Sequence, residues 1–258
     1  MIGDLLERIP SGESNVTRKQ YYRYIRMFFR WCVKFKYMLH DPTDAVEKIV
    51  VKKPKVKILP PNEIERLLRL VEEKYPSLLG FYCLTIFAGM RPSEAAAAKW
   101  EHLHFDAQDI EVMESSKTGS RSFSLRKADN LWLWLNYIKE KRPNTLLNPA
   151  FNHENLQKKV RAEFGGDWIQ DGLRHCFGSY YYKLNHDLEH LVYVMGNSVE
   201  IAKRHYVNRG VSDKVCQEYW AMKPETVLKG IGSSDRILAE ENSSKSEESA
   251  ENHQKPLV

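Results

Sequence analysis

The chain has 258 residues, with 39 Lys and Arg against 34 Asp and Glu, for a net charge of +5. That length holds one or two domains with a proper core, and 42% hydrophobic with 28% charged residues excludes a wholly disordered or fibrous protein. The longest apolar run, residues 78–90, is too short and too glycine-interrupted to span a bilayer, and the opening MIGDLLERIP lacks the basic start and apolar run of a signal peptide. Cys32, Cys83, Cys176 and Cys216 stand far apart, with no CxxC pair and no zinc spacing, which fits core thiols in a reducing cytoplasm.

The charge is local. Residues 1–57 hold thirteen bases and six acids, net +7, whereas residues 231–258 hold six acids and three bases, net −3. Residues 58–230 therefore carry about +1. The first predicted element is a long helix over residues 17–39. Lys19, Arg23, Arg26, Arg30 and Lys34 recur at steps of three and four along it, so they share one face. Tyr21, Tyr24, Ile25, Phe28, Cys32 and Phe35 form the other face, expected to pack on a core. An amphipathic helix ordinarily turns such a charged face to solvent. Five cations with no interleaved anion repel one another, however, which favours contact with a DNA backbone.

After DPTDAVEKI, a turn and short helix, comes VVKKPKVKILPP, a Lys- and Pro-rich stretch without helical period. It reads as an extended basic linker, with Lys52, Lys53 and Lys55 as further phosphate contacts. A helix is then predicted from Asn62, where Asn62 and Glu65 make a capping-box pattern ahead of IERLLRLVEE. The apolar helix around SLLGFYCLTIFAGM and the Ala-rich RPSEAAAAKW follow, Ala95 to Ala98 being helix packing. The period then changes to two: HLHF, DIEVME and SRSFSLR, separated by DAQD and SKTG, predict three antiparallel strands. Helices resume in ADNLWLWLNYIKE, HENLQKKVRAEF, DGLRHCFGSYYYKL, DLEHLVYVMG, SVEIAKRHY and SDKVCQEYWAM. The last stretch, SSKSEESAENHQ, has almost no apolar content and is expected to be disordered. The fold class is mainly α with a small antiparallel β-sheet. Its expected divisions are a helical piece at 1–50, a linker at 51–60, a main domain at 61–230 and a tail at 231–258.

Four features of the main domain carry chemistry. Arg91 stands at a helix start with Glu94 three residues on; Lys117 stands at the tip of the SKTGS hairpin; Arg174 and His175 follow QDGL; and MGNSVEIAKRHYVN contains Tyr206. Singly, each has a plain reading. The chain has 13 tyrosines, a lone Arg or Lys is usually surface, and His175 can be a hydrogen-bonded core histidine. In order and context, together they resemble the tyrosine recombinases, the phage-integrase family of site-specific DNA recombinases, over residues 57–220.

The resemblance implies a catalytic fold of DNA breaking and rejoining enzymes preceded by part of a helical core-binding domain. Residue by residue, it implies that Arg91 in RPSE is the first family arginine and Lys117 the hairpin lysine. Arg174 in LRH is the second arginine, and Tyr206 in RHY is the nucleophile. Such a tyrosine attacks a DNA phosphodiester, forms a 3′-phosphotyrosine link and releases a 5′-hydroxyl, with neither ATP, metal nor other cofactor. The residue types suit that chemistry, since two guanidiniums can each offer paired N–H bonds to developing phosphoryl charge and remain ionised. A desolvated lysine can protonate the leaving oxygen. The implied partners are double-stranded DNA and further copies of the chain, as a tetramer on paired sites, with VCQEYWAM (Val215, Tyr219, Met222 on one stripe) docking in trans or packing in cis. The implied setting is a mobile genetic element in the cytoplasm.

Two positions depart from the family pattern. Asp171 stands where H-x-L-R-H has its first His, and Asn197 stands where L-G-H-S has His or Trp. Both are strong N-cap formers, and Asn197 with Glu200 makes a capping-box pattern. Asp171 adds a carboxylate that repels phosphate, and Asn197 can donate a hydrogen bond but cannot act as acid or base. His175 and His205 are neighbours able to compensate. The first 50 residues match only the end of a four-helix core-binding domain, so their apolar face is expected to be poorly covered. The rival readings are a non-catalytic DNA-binding remnant of an integrase and, further off, a type IB topoisomerase.

Overall fold

The computed structural model describes residues 15–47, 49–50, 57–113, 119–143, 145–149, 152–166, 168, 171–206 and 210–229. Lys52, Lys53, Lys55, Lys117 and the tail at 231–258 lie outside these, as do the side chains of Arg204 and His205. The chain divides into two compact units, Met1–Lys55 and Val56–Val258.

In the first unit, helix α1 (Asn15–Lys34) is followed by a 3-10 turn at Pro42–Ala45. The turn is capped by Asp41, whose carboxylate accepts from the Thr43 amide at 2.8 Å and its hydroxyl at 2.6 Å. It returns two carboxylates to the cationic face of α1: Asp44 Oδ1 lies 3.1 Å from Arg26 Nη2, and Asp41 Oδ2 lies 4.0 Å from Arg30 Nε. The expected run of five unrelieved cations is thus corrected to three with two paired. The apolar face is poorly covered, as the match of residues 1–50 to only the end of a helical domain implies, and only part of it packs inward. Cys32 is buried, but Tyr21, Tyr24, Phe28 and Phe35 are 50–58% exposed. Among the described residues of this unit, one helix and one turn supply no second layer to cover them, and Trp31 packs against Phe35 and Tyr37.

The second unit begins with α2 (Pro61–Lys74), which buries Ile64, Leu67, Leu68 and Val71. Pro61 occupies its first turn and Pro60 the cap position, with no side-chain cap bond, so the expected Asn62 cap is not used. Proline's fixed φ and missing N–H set that start instead. Helix α3 (Leu79–Phe87) is buried at all nine residues and forms the centre of the core. Helix α4 (Pro92–Ala97) leads to strands β1 (Leu103–His104), β2 (Asp109–Val112) and β3 (Arg121–Ser124), paired antiparallel in that order. The register sets Leu103 opposite Ile110 and Ile110 opposite Phe123, so these three side chains face the core together. Arg121, two residues before Phe123, is on that same inner face.

Helix α5 (Asn130–Lys141) packs against α3, and α6 (His153–Phe164) packs against α2. Helix α7 (Gly172–Asn185) packs against α3, followed by α8 (Leu188–Met195), α9 (Val199–His205), α10 (Asp213–Trp220) and α11 (Pro224–Val227). The expected fold class, mainly helical with one small antiparallel sheet, is borne out. Of the stripe offered for docking in trans, Tyr219 and Met222 are buried in this chain's own core. Tyr219 stacks on Tyr180 at 4.1 Å and donates to the Ile86 carbonyl. The four cysteines are free and buried. Among the described residues no helix is long and apolar enough to cross a membrane.

Candidate active site

Four elements of the second unit converge on one group of side chains. Arg91 is the N-cap residue of α4, extended at φ −63°, and the Glu94 carboxylate reaches back to accept from its backbone N–H at 2.9 Å. The arginine then bends over its own helix start. Its Nη1 donates to Glu94 Oε1 at 2.9 Å, and its Nη2 donates to the Gly196 carbonyl at 2.6 Å. Glu94 is buried, a placement that a carboxylate tolerates only when paired. Its second partner is Arg121 from β3, which bonds both carboxylate oxygens, Nη1 to Oε1 at 3.0 Å and Nη2 to Oε2 at 2.9 Å. Burial alone would raise the Glu94 pKa, but the bonds from Arg121 and Arg91 outweigh it and bring it down to about 2.

Arg174 rises from the first turns of α7 and is buried. Its guanidinium donates to the carbonyls of Gly89 and Met195, and its Nη2 also donates to Asn197 Oδ1 at 3.0 Å. Burial lowers its pKa to about 10, which leaves it a cation at neutral pH. Arg91 Nη2 donates to the same Asn197 oxygen at 3.2 Å. The other end of that amide, Nδ2, donates to the Tyr206 hydroxyl at 3.3 Å. Tyr206 closes α9, its N–H bonded to the Ala202 carbonyl at 2.9 Å, and its buried ring lies against Gly178 of α7. A Cβ at Gly178 would stand 2.6 Å from Cδ1 and Cε1 of that ring, so only glycine admits the tyrosine there. The His175 ring centroid is 5.8 Å from that of Tyr206.

The corner between α8 and α9 explains how one amide reaches all three groups. Gly196 adopts a left-handed conformation (φ +57°), and a Cβ there would meet the guanidiniums of Arg121 at 3.2 Å and Arg91 at 3.3 Å. Asn197 follows it directly. The expected cap by Asn197 is corrected: Ser198 is the N-cap of α9, its hydroxyl accepting from the Ile201 amide, while the Asn197 side chain turns to the arginines. Asp171 does take the N-cap position of α7, in a left-handed conformation (φ +55°), but its side chain makes no cap bond. It is exposed and lines a separate cleft with Trp168, Arg161 and Pro92.

Arg91, Arg174, Asn197 and Tyr206 are therefore brought together, with Asp171 outside their hydrogen-bonded cluster among the described residues. Lys117 lies in the β2–β3 connection, outside the described residues. Arg121 was not read from the sequence, although a signal existed: in the alternating RSFS an arginine shares the inner face with Phe123, and a buried guanidinium demands a carboxylate. Glu94 pairs with Arg91 and Arg121, and Arg174 shares the Asn197 oxygen with Arg91, so three guanidiniums and one carboxylate leave the cluster with a net charge of +2, which attracts an anion.

In the first unit, Lys19, Arg23, Arg26 and Arg30 line one groove together with Tyr22 and Met27. Lys34 lies 5.7 Å from the Phe35 ring centroid.

No protein-family model matches the chain, and no curated protein does. Solved structures do. A lambda integrase (residues 75–356), crystallised as a dimer on a COC′ core site, superposes with a TM-score of 0.66 at 16% identity over 82% of this chain and 80% of that one. The Tn1549 transposon integrase in complex with circular-intermediate DNA gives 0.62 at 14% identity, over 83% and 82%. XerA recombinase gives 0.51 at 13% identity, over 85% and 86%. Against another, longer lambda integrase chain, also a dimer on a COC′ core site, this chain spans 65% of the length. At these identities the likeness is one of fold, and that fold is the one shared by integrases and recombinases.

Proposed function

We propose that this chain, which carries the fold of the tyrosine recombinases, is a member of that family and transfers DNA strands through Tyr206. The observation that carries the reading is the convergence of Arg91, Arg174 and Tyr206 on the single side chain of Asn197. Nothing in an ordinary core requires two guanidiniums and a phenol to share one amide.

In the proposed step the Tyr206 oxygen attacks phosphorus and the bond from phosphorus to the 5′ oxygen breaks. A 3′-phosphotyrosyl ester forms, the phenol gives its proton to solvent, and Lys117 protonates the departing 5′ oxygen. Arg91 and Arg174 hold the nonbridging oxygens, where losing one preorganised donor typically costs about 3–4 kcal/mol of barrier. A tyrosine hydroxyl titrates at about 10 in water, so attack at neutral pH calls for cations beside the phenol, which is the setting that Arg91 and Arg174 supply in this reading. The ester preserves the energy of the broken bond, so a 5′-hydroxyl can reverse the step without ATP. Double-stranded DNA is the proposed substrate. Assembly of several copies on paired sites follows the lambda integrase, solved as a dimer on a core site and as a tetramer on a Holliday junction.

The test is trapping. Nicked duplexes cut from the DNA flanking the gene are incubated with the full chain, and a covalent protein–DNA band is sought. A band that vanishes in Tyr206→Phe supports the reading; no band, or an undiminished one in that variant, sinks it. A non-catalytic DNA-binding remnant is the second reading, favoured by the exposed carboxylate of Asp171 where the family has histidine. It predicts salt-dependent binding without an adduct, and an adduct gained in Asp171→His with Asn197→His.

A further inference from the structure

Asn197 Oδ1 accepts from Arg174 at 3.0 Å and from Arg91 at 3.2 Å, the role that a nonbridging phosphoryl oxygen would fill in a site of this kind. Among the described residues, the other partners of these two guanidiniums are the paired Glu94 carboxylate and the backbone carbonyls of Gly89, Met195 and Gly196. The Asn197 side chain is different. It is held at its backbone by an N–H bond to the Val192 carbonyl, and its amide swings on two side-chain torsions. As a neutral acceptor it is also the weaker ligand, because it lacks the charge–charge attraction that a phosphate oxygen adds to the same two bonds.

We propose that Asn197 is an internal stand-in for phosphate, a specificity-determining residue that occupies the anion site until DNA arrives. This rests on reading the site as a strand-transfer centre. With no DNA bound, the amide oxygen satisfies both arginines and the amide nitrogen tethers the Tyr206 hydroxyl. A phosphodiester oxygen takes over the two guanidinium bonds, the carboxamide is displaced, and Tyr206 is released from its tether at the moment a phosphorus atom is in reach. An anion without competing negative charge nearby is what the net +2 of the cluster selects. A neutral group cannot displace the amide at a profit in charge.

The test uses inorganic phosphate as the probe on the full chain, followed by the side-chain amide resonances of Asn197 and the Nε–H resonances of Arg91 and Arg174. All three are expected to shift together and to saturate. In Asn197→Ala, where the competitor is gone, phosphate is expected to bind about tenfold tighter. In Asn197→Asp it is expected to bind more weakly than in the natural chain, since a carboxylate holds the guanidiniums by charge and repels the anion. Should the alanine variant fail to fold, the aspartate variant still decides. Arginine shifts without an Asn197 shift overturn the proposal, as does equal or weaker phosphate binding in Asn197→Ala, tighter binding in Asn197→Asp, or no saturable shift at all. The measurement needs no strand cleavage, so an absent DNA adduct, which would sink the strand-transfer reading, leaves this result separately readable.

Discussion

The Arg121 guanidinium lies against the Glu94 carboxylate in two near-parallel bonds of 3.0 and 2.9 Å, with side-chain exposures of 8% and 1%. Arg121 also donates from Nε to the Val194 carbonyl at 3.1 Å, so one side chain ties β3, α4 and the end of α8. Breaking a buried pair by removing one partner typically costs about 3–5 kcal/mol, because the remaining charge is stranded. Glu94 keeps its two bonds from Arg91, so Arg121→Met is expected to lower the unfolding free energy by less than that, about 1.5–3 kcal/mol, measured by urea denaturation at pH 7. A loss no larger than that of an ordinary surface substitution, about 0.5 kcal/mol, contradicts the assignment.

The same carboxylate makes stability depend on pH. The Glu94 pKa in the folded chain, about 2, lies below its ordinary value of 4.5. Its contribution is therefore fully present above about pH 4.5 and is lost as pH falls toward 2. The drop corresponds to about 3 kcal/mol. Glu94→Gln removes this titration. The difference in unfolding free energy between the natural chain and the variant is expected to be constant from pH 7 to pH 5 and to shrink from pH 4 to pH 3. A difference that stays constant to pH 3 shows that the carboxylate is not held ionised by its arginines.

Gly178→Ala tests the seat of Tyr206. The added methyl would stand 2.6 Å from the tyrosine ring, against which an overpacked core typically loses about 1–3 kcal/mol. Replacing glycine within a helix returns up to about 1 kcal/mol, so the fold is expected to survive while the ring is displaced. A misplacement near 1 Å can cost about 100-fold in rate. The expected outcome is a cooperative melt close to that of the natural chain together with a roughly 100-fold slower covalent adduct on a nicked duplex. An unchanged adduct rate would show that the position of the ring against α7 does not matter.

The unbroken apolar run of α3, the helical pattern of α5 and the period of two in the strands were enough to read those elements. The motif residues Arg91, Arg174 and Tyr206 were legible by order and context, and they do come together. Asn197 was read as a helix cap because a capping box counts only bonds to nearby backbone. Two guanidiniums arriving from α4 and α7 claim its oxygen instead, and Ser198 takes the cap. The start of α2 went to Pro61 by the same rule of competition, a fixed φ winning over a side-chain bond at Asn62. Arg121 was missed because its role depends on the register of β3 against β2, which sets Val112 opposite Arg121. The aromatic side of α1 is legible as apolar, and the resemblance of residues 1–50 to only the end of a four-helix domain predicts its poor cover.

The pairing on α1 divides its cations into two kinds with different effects on DNA binding. Lys19 and Arg23 are exposed and flank the groove, and no acid of the described residues is paired with either. Arg26 is held by Asp44 at 3.1 Å and by the Tyr22 hydroxyl at 3.3 Å. A cation that trades a carboxylate for a phosphate releases fewer counterions from DNA than one arriving from water. With the proposed DNA contact, log K falls with log salt by about 0.9 for each phosphate neutralised. Lys19→Ala and Arg23→Ala are each expected to reduce that slope by about 0.9, whereas Arg26→Ala reduces it by clearly less. Asp44→Asn, which frees Arg26, is expected to tighten binding and steepen the slope. Fluorescence anisotropy of a short duplex between 50 and 200 mM salt checks all four variants. Equal slopes for Arg26→Ala and Arg23→Ala would mean that the Asp44 contact does not hold Arg26 back from DNA.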